Sequence, residues 1–133
     1  MSDQTIYPYI CIRDAAGALE FYKKALGAVE VSRWADPDGK LRHGEFKIGN
    51  SMLMIHDESP EFPELRSVQA FNGSPVNLFA YVDNVDALYE QAVAAGAKAL
   101  GPLEDKPYGR TAGVVDPYGL TWWLCSKPVS GPS

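Results

Sequence analysis

The chain is poor in cysteine, histidine and base, and each shortage excludes something. Its two cysteines, Cys11 and Cys125, lie far apart with no C-x-x-C pair, which removes a thiolate zinc site and a disulfide scaffold. Both are expected as free thiols. His43 and His56 are the only histidines, too few for an imidazole-rich metal centre. No stretch approaches the roughly 18 apolar residues of a membrane span, so none is expected. The opening Met1-Ser2-Asp3-Gln4 carries an acid instead of a basic leader, and the following apolar run is broken by Pro8 and stopped at Arg13. That pattern points away from a secretory signal and towards a cytoplasmic address. Twelve bases against seventeen acids give a net charge of −5, which repels a phosphate backbone and excludes nucleic acid as the expected partner. The acids are scattered, as on a solvated surface.

What the chain does have is enough apolar residue for one domain, 46% of 133 positions, and the expectation is a single domain over 1–133. It also repeats itself. Ala18-Leu19-Glu20-Phe21-Tyr22 through Leu26-Gly27-Ala28 is echoed 69 residues later by Ala87-Leu88-Tyr89 through Ala95-Gly96-Ala97, and Asp14 and Asp83 stand at the same spacing. Each Asp is placed to cap a helix and each Gly to end one, which predicts helices over Ala15–Leu26 and Val85–Ala95. Leu19, Tyr22 and Leu26 form one apolar stripe; Leu88, Ala92 and Ala95 form the other.

Strand-like runs precede and follow each helix: Ile6–Arg13, Val29–Ala35, Leu41–Ile48 and Ser51–His56, then Val76–Asp83, Lys98–Leu103, Thr111–Val115 and Leu120–Ser126. Asp36-Pro37-Asp38-Gly39, Gly49-Asn50 and Asp116-Pro117-Tyr118-Gly119 supply the turns. The fold class is α+β: two tandem βαβββ modules, 1–56 and 75–128, forming a curled, mostly antiparallel eight-stranded sheet around a cavity with the helices outside. The connection 57–74, with Pro60, Pro63 and Gly73 and few periodic apolar residues, reads equally as a lid or as a linker. Val129–Ser133 reads as a loose tail.

Period-two alternation sorts the faces. Ile6, Pro8, Ile10 and Ile12 should pack beneath the helices, leaving Tyr7, Tyr9, Cys11 and Arg13 opposite. Met52, Met54 and His56 oppose Leu53 and Ile55. Asn77, Phe79 and Tyr81 oppose Val76, Leu78 and Val82, while Thr121, Trp123 and Cys125 oppose Trp122 and Leu124. A helix-free face of aromatics, methionine and a few polar groups suits a ligand cavity. It suits equally the filled interior of a curled sheet or a subunit interface, and the sequence leaves both open.

Ile12-Arg13-Asp14, Ala18-Leu19-Glu20-Phe21-Tyr22, Leu26-Gly27-Ala28, Tyr81-Val82-Asp83-Asn84-Val85 and Asp116-Pro117-Tyr118-Gly119-Leu120-Thr121-Trp122 together resemble the vicinal oxygen chelate superfamily, which holds glyoxalase I, extradiol dioxygenases, fosfomycin-resistance enzymes and bleomycin-resistance proteins. Tyr7-Pro8-Tyr9, His43-Gly44-Glu45 and Tyr108-Gly109-Arg110 resemble its PhnB-like branch. The resemblance covers nearly the whole chain and implies the fold. It also implies where metal-using members keep their ligands: Tyr7 or Pro8, Met54, Asn77 and Trp123 occupy those places here. A thioether, an indole and an amide do not make a divalent-metal site, so no metal and no cofactor is expected.

The remaining chemistry is sparse. His43 and Glu45 lie two apart on one strand and share a face, so the carboxylate can orient the imidazole for proton transfer; an ordinary hydrogen-bonded surface pair reads the same way. His56, beside Asp57, reads as a turn residue. Trp34, Trp122 and Trp123 resemble the stacking residues of drug-binding relatives, though by parity only Trp123 faces the cavity, beside Tyr7, Tyr9, Met54, Asn77, Phe79 and Tyr81. Arg110 is a candidate anchor for an anionic group. The leading expectation is a metal-free protein that binds a planar or aromatic small organic molecule, as a homodimer. A metal-independent isomerase, epimerase or lyase using His43 and Glu45 is the alternative, and a purely structural homodimer the second. The ligand, any turnover and the pathway are not legible in these residues.

Overall fold

The computed structural model describes residues 6–127; the opening residues and the expected tail at Val129–Ser133 lie outside them. In chain order the elements are β1 (Tyr9–Cys11), α1 (Ala15–Leu26), β2 (Val29–Ala35), β3 (Leu41–Ile48), β4 (Ser51–His56), a 3-10 turn (Val68–Ala70), β5 (Asn77–Tyr81), α2 (Val85–Ala95), β6 (Lys98–Ala99), β7 (Glu104–Lys106), β8 (Gly109–Val115) and β9 (Thr121–Ser126). The strands form two mixed sheets, ordered β1-β4-β3-β2 and β5-β9-β8-β6 with β7 also on β8. This corrects the expected single curled sheet of eight strands: there are sheets of four and five, and no closed barrel. The run at Lys98–Leu103 is not one strand, because Gly101-Pro102 interrupts it and Pro102 has no N–H to pair.

Both helices begin and end as the sequence predicts, but one cap differs. The Asp14 carboxylate accepts from the Gly17 N–H at 3.1 Å. In the second helix it is Asn84, not Asp83, that accepts, from the Ala87 N–H at 3.1 Å. The helices have 12 and 11 residues, so the 69-residue spacing that holds at the closing glycines becomes 70 at the caps. The ladders show the same step: Ile12 N–H donates to His56 O, and Val82 N–H to Cys125 O. Gly27 closes α1 at φ 70°, a left-handed turn that lets Ala28 N–H reach back to Tyr22 O at 3.1 Å.

The apolar stripe of α1, Ala15, Ala18, Leu19, Tyr22, Ala25 and Leu26, is buried. It joins Ile10, Ile12, Phe46, Leu53 and Ile55 from the first sheet and Val114, Trp122 and Leu124 from the second in one core. Ile6 was expected in that core and is instead 97% exposed, since Pro8 ends the ladder before it. Two buried carboxylates hold the frame. Asp57 accepts from the N–H groups of Asp14 (2.8 Å), Ala15 (3.2 Å) and Leu41 (2.7 Å). Asp116 accepts from Tyr22 OH (2.6 Å), Trp122 Nε1 (2.9 Å) and the N–H groups of Tyr118 (2.9 Å) and Leu120 (3.1 Å). The second ties α1 to the β8–β9 turn across the molecule.

The connection is fastened down. Gln69 clasps Arg13, its Oε1 accepting from the Arg13 N–H at 2.9 Å and its Nε2 donating to the Arg13 carbonyl at 2.8 Å. Val68 is buried in the core, and Glu58 accepts from the Ser67 N–H at 3.0 Å. That bond, with further help from the Ser67 hydroxyl and Arg13, lowers the Glu58 carboxyl from 4.5 to about 2.

Candidate functional site

Each sheet presents its helix-free face outward, and the two faces carry different chemistry. On the first, register decides what gathers. A bulge between Glu30 and Ser32 inserts Val31, so Ser32 lies opposite Glu45 and Trp34 opposite His43. Without that extra residue both would point into the helix side. The parallel β1–β4 ladder sets Tyr9 opposite Met54, and Cys11 opposite His56, on the same face.

A hydrogen-bonded chain runs across it. Ser32 Oγ donates to Glu45 Oε1 at 3.1 Å; His43 Nε2 and Glu45 Oε2 are 2.8 Å apart; His43 Nδ1 and the Tyr9 hydroxyl are 3.2 Å apart. The rings frame it: Tyr9 meets His56 and His43 edge-on at 4.7 and 5.4 Å, and Trp34 tilts against His43 at 5.4 Å. The bond to His43, then that to Ser32, holds the Glu45 carboxyl below the usual range. Partial burial, with a smaller push from Cys11, raises the Tyr9 phenol. Burial also raises the Cys11 thiol to about 11, with Glu58 and Asp57 adding to it, so Cys11 is not a nucleophile.

The second face is aromatic at its centre, with Lys98, Glu104 and Lys106 sharing it along the β6 and β7 edge. Phe79 pairs with Trp123 across β5–β9, Asn77 with Thr121, and Gly113 with Trp123 across β8–β9. The indole of Trp123 lies over Gly113 so closely that a Cβ there would sit 2.6 Å from its ring. Phe79 contacts Tyr81 at 5.2 Å and Tyr108 at 6.4 Å, and Lys127 Nζ stands 4.9 Å from the Tyr81 ring. Phe79 and Tyr81 remain 49% and 57% exposed.

The residues expected to line one cavity therefore divide. Tyr9, Met54, His43 and Glu45 are on the first face; Asn77, Phe79, Tyr81 and Trp123 are on the second. Among the described residues no hydrogen bond or ring contact joins the two sets. Tyr7, Phe79 and Tyr81 share the lining of an open groove of about 980 Å³ with the β3–β4 turn and Met52. Arg110 belongs to neither set. It lies on the helix side of β8, its guanidinium held by Asp86 at 2.7 Å and Asp105 at 3.2 Å, so an anion would compete with two carboxylates. His56 has the turn role expected, Nδ1 bonding Asp57 O at 2.9 Å. Ser32, Trp34 and Tyr108 were not assigned to the site from sequence. For the first two the only signal would have been the bulge.

This arrangement can be set beside known proteins. The model of the glyoxalase/bleomycin resistance protein/dioxygenase superfamily matches residues 4–124. The chain belongs to this superfamily. A protein of Mycobacterium tuberculosis whose function is uncharacterized is 38% identical over 130 residues, 96% of this chain and 76% of that one. Among solved structures, the At5g48480 gene product of Arabidopsis thaliana superposes with a TM-score of 0.77 at 22% identity, covering 94% of this chain and 100% of that one. The fosfomycin resistance protein FosX of Listeria monocytogenes, in complex with Mn(II) and sulfate, superposes at 0.70 and 15% identity, covering 97% and 94%. These likenesses below 25% identity establish the glyoxalase fold. They do not carry the metal across. Tyr7, Met54, Asn77 and Trp123 offer a phenol, a thioether, an amide and an indole, a set unfit for a divalent ion. Among the described residues no three His, Cys, Asp or Glu side chains gather to hold one.

Proposed function

We propose that this member of the glyoxalase superfamily is a metal-free binding protein that sequesters or carries a small planar or aromatic organic molecule. The observation that carries the reading is the second face: Trp123 laid flat on Gly113, flanked by exposed Phe79 and Tyr81, at a place where metal-using relatives would need an ion's ligand. Such a shelf stacks flat ligands, each aromatic pair contributing about 0.5–1.5 kcal/mol beyond its buried area. Exposed faces of this size also suit a partner, and the same proposal includes a homodimer in which a second copy covers them. A cytoplasmic setting agrees with two buried, unpaired thiols; no described helix is long and apolar enough to cross a membrane.

Fluorescence titration with acridine, a neutral flat probe at slightly alkaline pH, tests the reading. Saturable quenching that is lost in Trp123→Ala is expected; equal affinity in that variant would refute the shelf. Sedimentation equilibrium should give a dimer mass, and a dimer that binds no flat probe would leave a purely structural role.

The 2.8 Å contact of His43 with Glu45 favours one further reading, a metal-independent isomerase, epimerase or lyase. Turnover abolished by His43→Ala would establish it over simple binding.

A further inference from the structure

The chain Ser32–Glu45–His43–Tyr9 has a property its distances alone do not announce: its donors are spent inward. An ionised carboxylate only accepts, so Ser32 must donate its hydroxyl proton to Glu45 Oε1 and His43 must donate from Nε2 to Glu45 Oε2. A neutral imidazole with its proton on Nε2 has an acceptor at Nδ1, and the Tyr9 hydroxyl, 3.2 Å away, then donates to it. What remains facing outward are lone pairs, on the Tyr9 oxygen and the Glu45 carboxylate. The chain carries one net negative charge.

Among the described residues the one ion-pair partner of Glu45 is His43. From β1 the titratable groups are Tyr9 and Cys11, whose thiol lies opposite His56 and donates to the Leu65 carbonyl. From β4 it is His56, whose Nδ1 is taken by Asp57 O, leaving Nε2 a further acceptor in the neutral ring. From β2 come only Ser32 and Trp34. From β3 come His43, Glu45 and also Lys47, which shares their face two residues beyond Glu45, opposite Met52; among the described residues Glu45 forms its ion pair with His43, not Lys47. Trp34, 57% exposed, supplies a flat wall beside the acceptors.

We infer that the Ser32–Glu45–His43–Tyr9 chain, walled by Trp34, is a subsite for the amine or amidine edge of a flat organic cation. This rests on the flat-ligand reading above but adds a second place for such a ligand, on the first sheet's face and apart from the Trp123 shelf. Donors on the ligand edge meet acceptors on the protein, and its positive ring system meets Trp34 and Tyr9, where cation–π attraction adds to stacking.

Calorimetric titration of the full chain with three flat probes of one size tests the inference: 9-aminoacridine (cation), acridine (neutral) and acridine-9-carboxylate (anion). The cation should bind roughly two- to five-fold tighter than the neutral probe. Glu45→Gln, which keeps the shape and removes the charge, should erase that ratio and leave acridine affinity unchanged; Tyr9→Phe should reduce it while thermal stability stays at the wild-type value. An unchanged cation-to-neutral ratio in both variants, or tighter binding of the anion, would overturn the subsite while leaving the flat-ligand reading intact. If none of the three probes binds, both fall.

Discussion

Replacing Asp116 by asparagine tests how the two sheets are held in one frame. Asp116 is 4% exposed and has no cation beside it; four donors satisfy it instead. Two of them, Tyr22 OH and Trp122 Nε1, converge on Oδ2, and the N–H groups of Tyr118 and Leu120 converge on Oδ1. Asparagine can offer an acceptor to one pair only. With its amide nitrogen towards Oδ2's place, the Tyr22 hydroxyl can turn round and accept, but the indole N–H cannot and is orphaned. With the nitrogen on the other side, two backbone N–H groups are orphaned. The better alternative leaves one buried donor unpaired, costing about 1–3 kcal/mol, and weakens the bonds that had charge assistance, for a total of about 3 kcal/mol. At about 3 °C per kcal/mol for a domain of this size, the thermal midpoint should fall by about 10 °C. Tyr22→Phe, which deletes one donor and orphans nothing, should cost only about 1 kcal/mol. Differential scanning calorimetry of the three proteins decides it. If Asp116→Asn melts at or above the wild-type temperature, the burial penalty of the charge exceeds the worth of its bonds, as happens for some buried ions, and the reasoning fails.

Two further outcomes can be measured directly. Gly113→Ala places a methyl within 2.6 Å of the Trp123 ring, so the indole must lift from the sheet; stability should drop by about 1–3 kcal/mol, with altered tryptophan emission and weaker acridine binding, and an unchanged emission spectrum would mean the shelf is not as described. The Glu58 carboxyl lies lower in the folded chain, about 2, than its ordinary 4.5, so its bond to Ser67 stabilises the fold above pH 4.5 and the benefit disappears as pH falls towards 2. Acid titration followed by hydrogen exchange at Ser67 and Gln69 should show the connection loosening over that window. Glu58→Gln should remove the pH dependence, and a wild-type connection equally protected at both ends of the window would contradict it.

How much of this was legible depended on whether a local rule or a long-range one set the outcome. Helix limits at Ala15–Leu26 and Val85–Ala95 follow from caps and closing glycines a few residues away, and they were read correctly. Asp83 was misassigned because the repeat was given one spacing, and the loss of one residue within α2 moves the cap to Asn84. Strand faces followed from parity wherever the ladder is regular: Trp122 is buried and Trp123 is not. Parity failed at β2, where the Val31 bulge carries Ser32 and Trp34 to the His43 face, and nothing in Val29–Ala35 alone announces it. The pairing of His43 with Glu45 was legible because i and i+2 on a strand share a side. Tyr9 as its third member was not, since the β1–β4 ladder that brings β1 alongside is a contact across more than forty residues. Sheet closure was the largest miss, because edge pairing between distant strands leaves no mark on hydrophobic alternation.

The groups that hold the frame and the groups that offer chemistry lie on opposite sides of the same strands, and this separation explains how one scaffold can carry two unlike faces. Asp57 takes the first N–H groups of α1, and Ser126 Oγ takes the Val85 N–H of α2 at 2.8 Å. Both anchors, with Asp116, act at helix starts or within the helix-side core. Phe79 and Trp123 stand outside the hydrophobic core cluster, and Glu45 and His43 bond to one another on the open face of the other sheet, so change there is expected to cost less stability than change at the anchors. Two faces on equivalent frames can drift apart, one becoming a row of acceptors and the other an aromatic shelf, while the superfamily's fold stays intact. It follows that substitutions should sort by face. Those at Asp57, Asp116 or Ser126 should lower stability and leave the probe ratios of the folded fraction untouched, whereas those at Glu45, Tyr9 or Trp123 should shift binding at nearly constant melting temperature. A variant such as Glu45→Gln that unfolded the chain would show that the acceptor row is part of the frame after all.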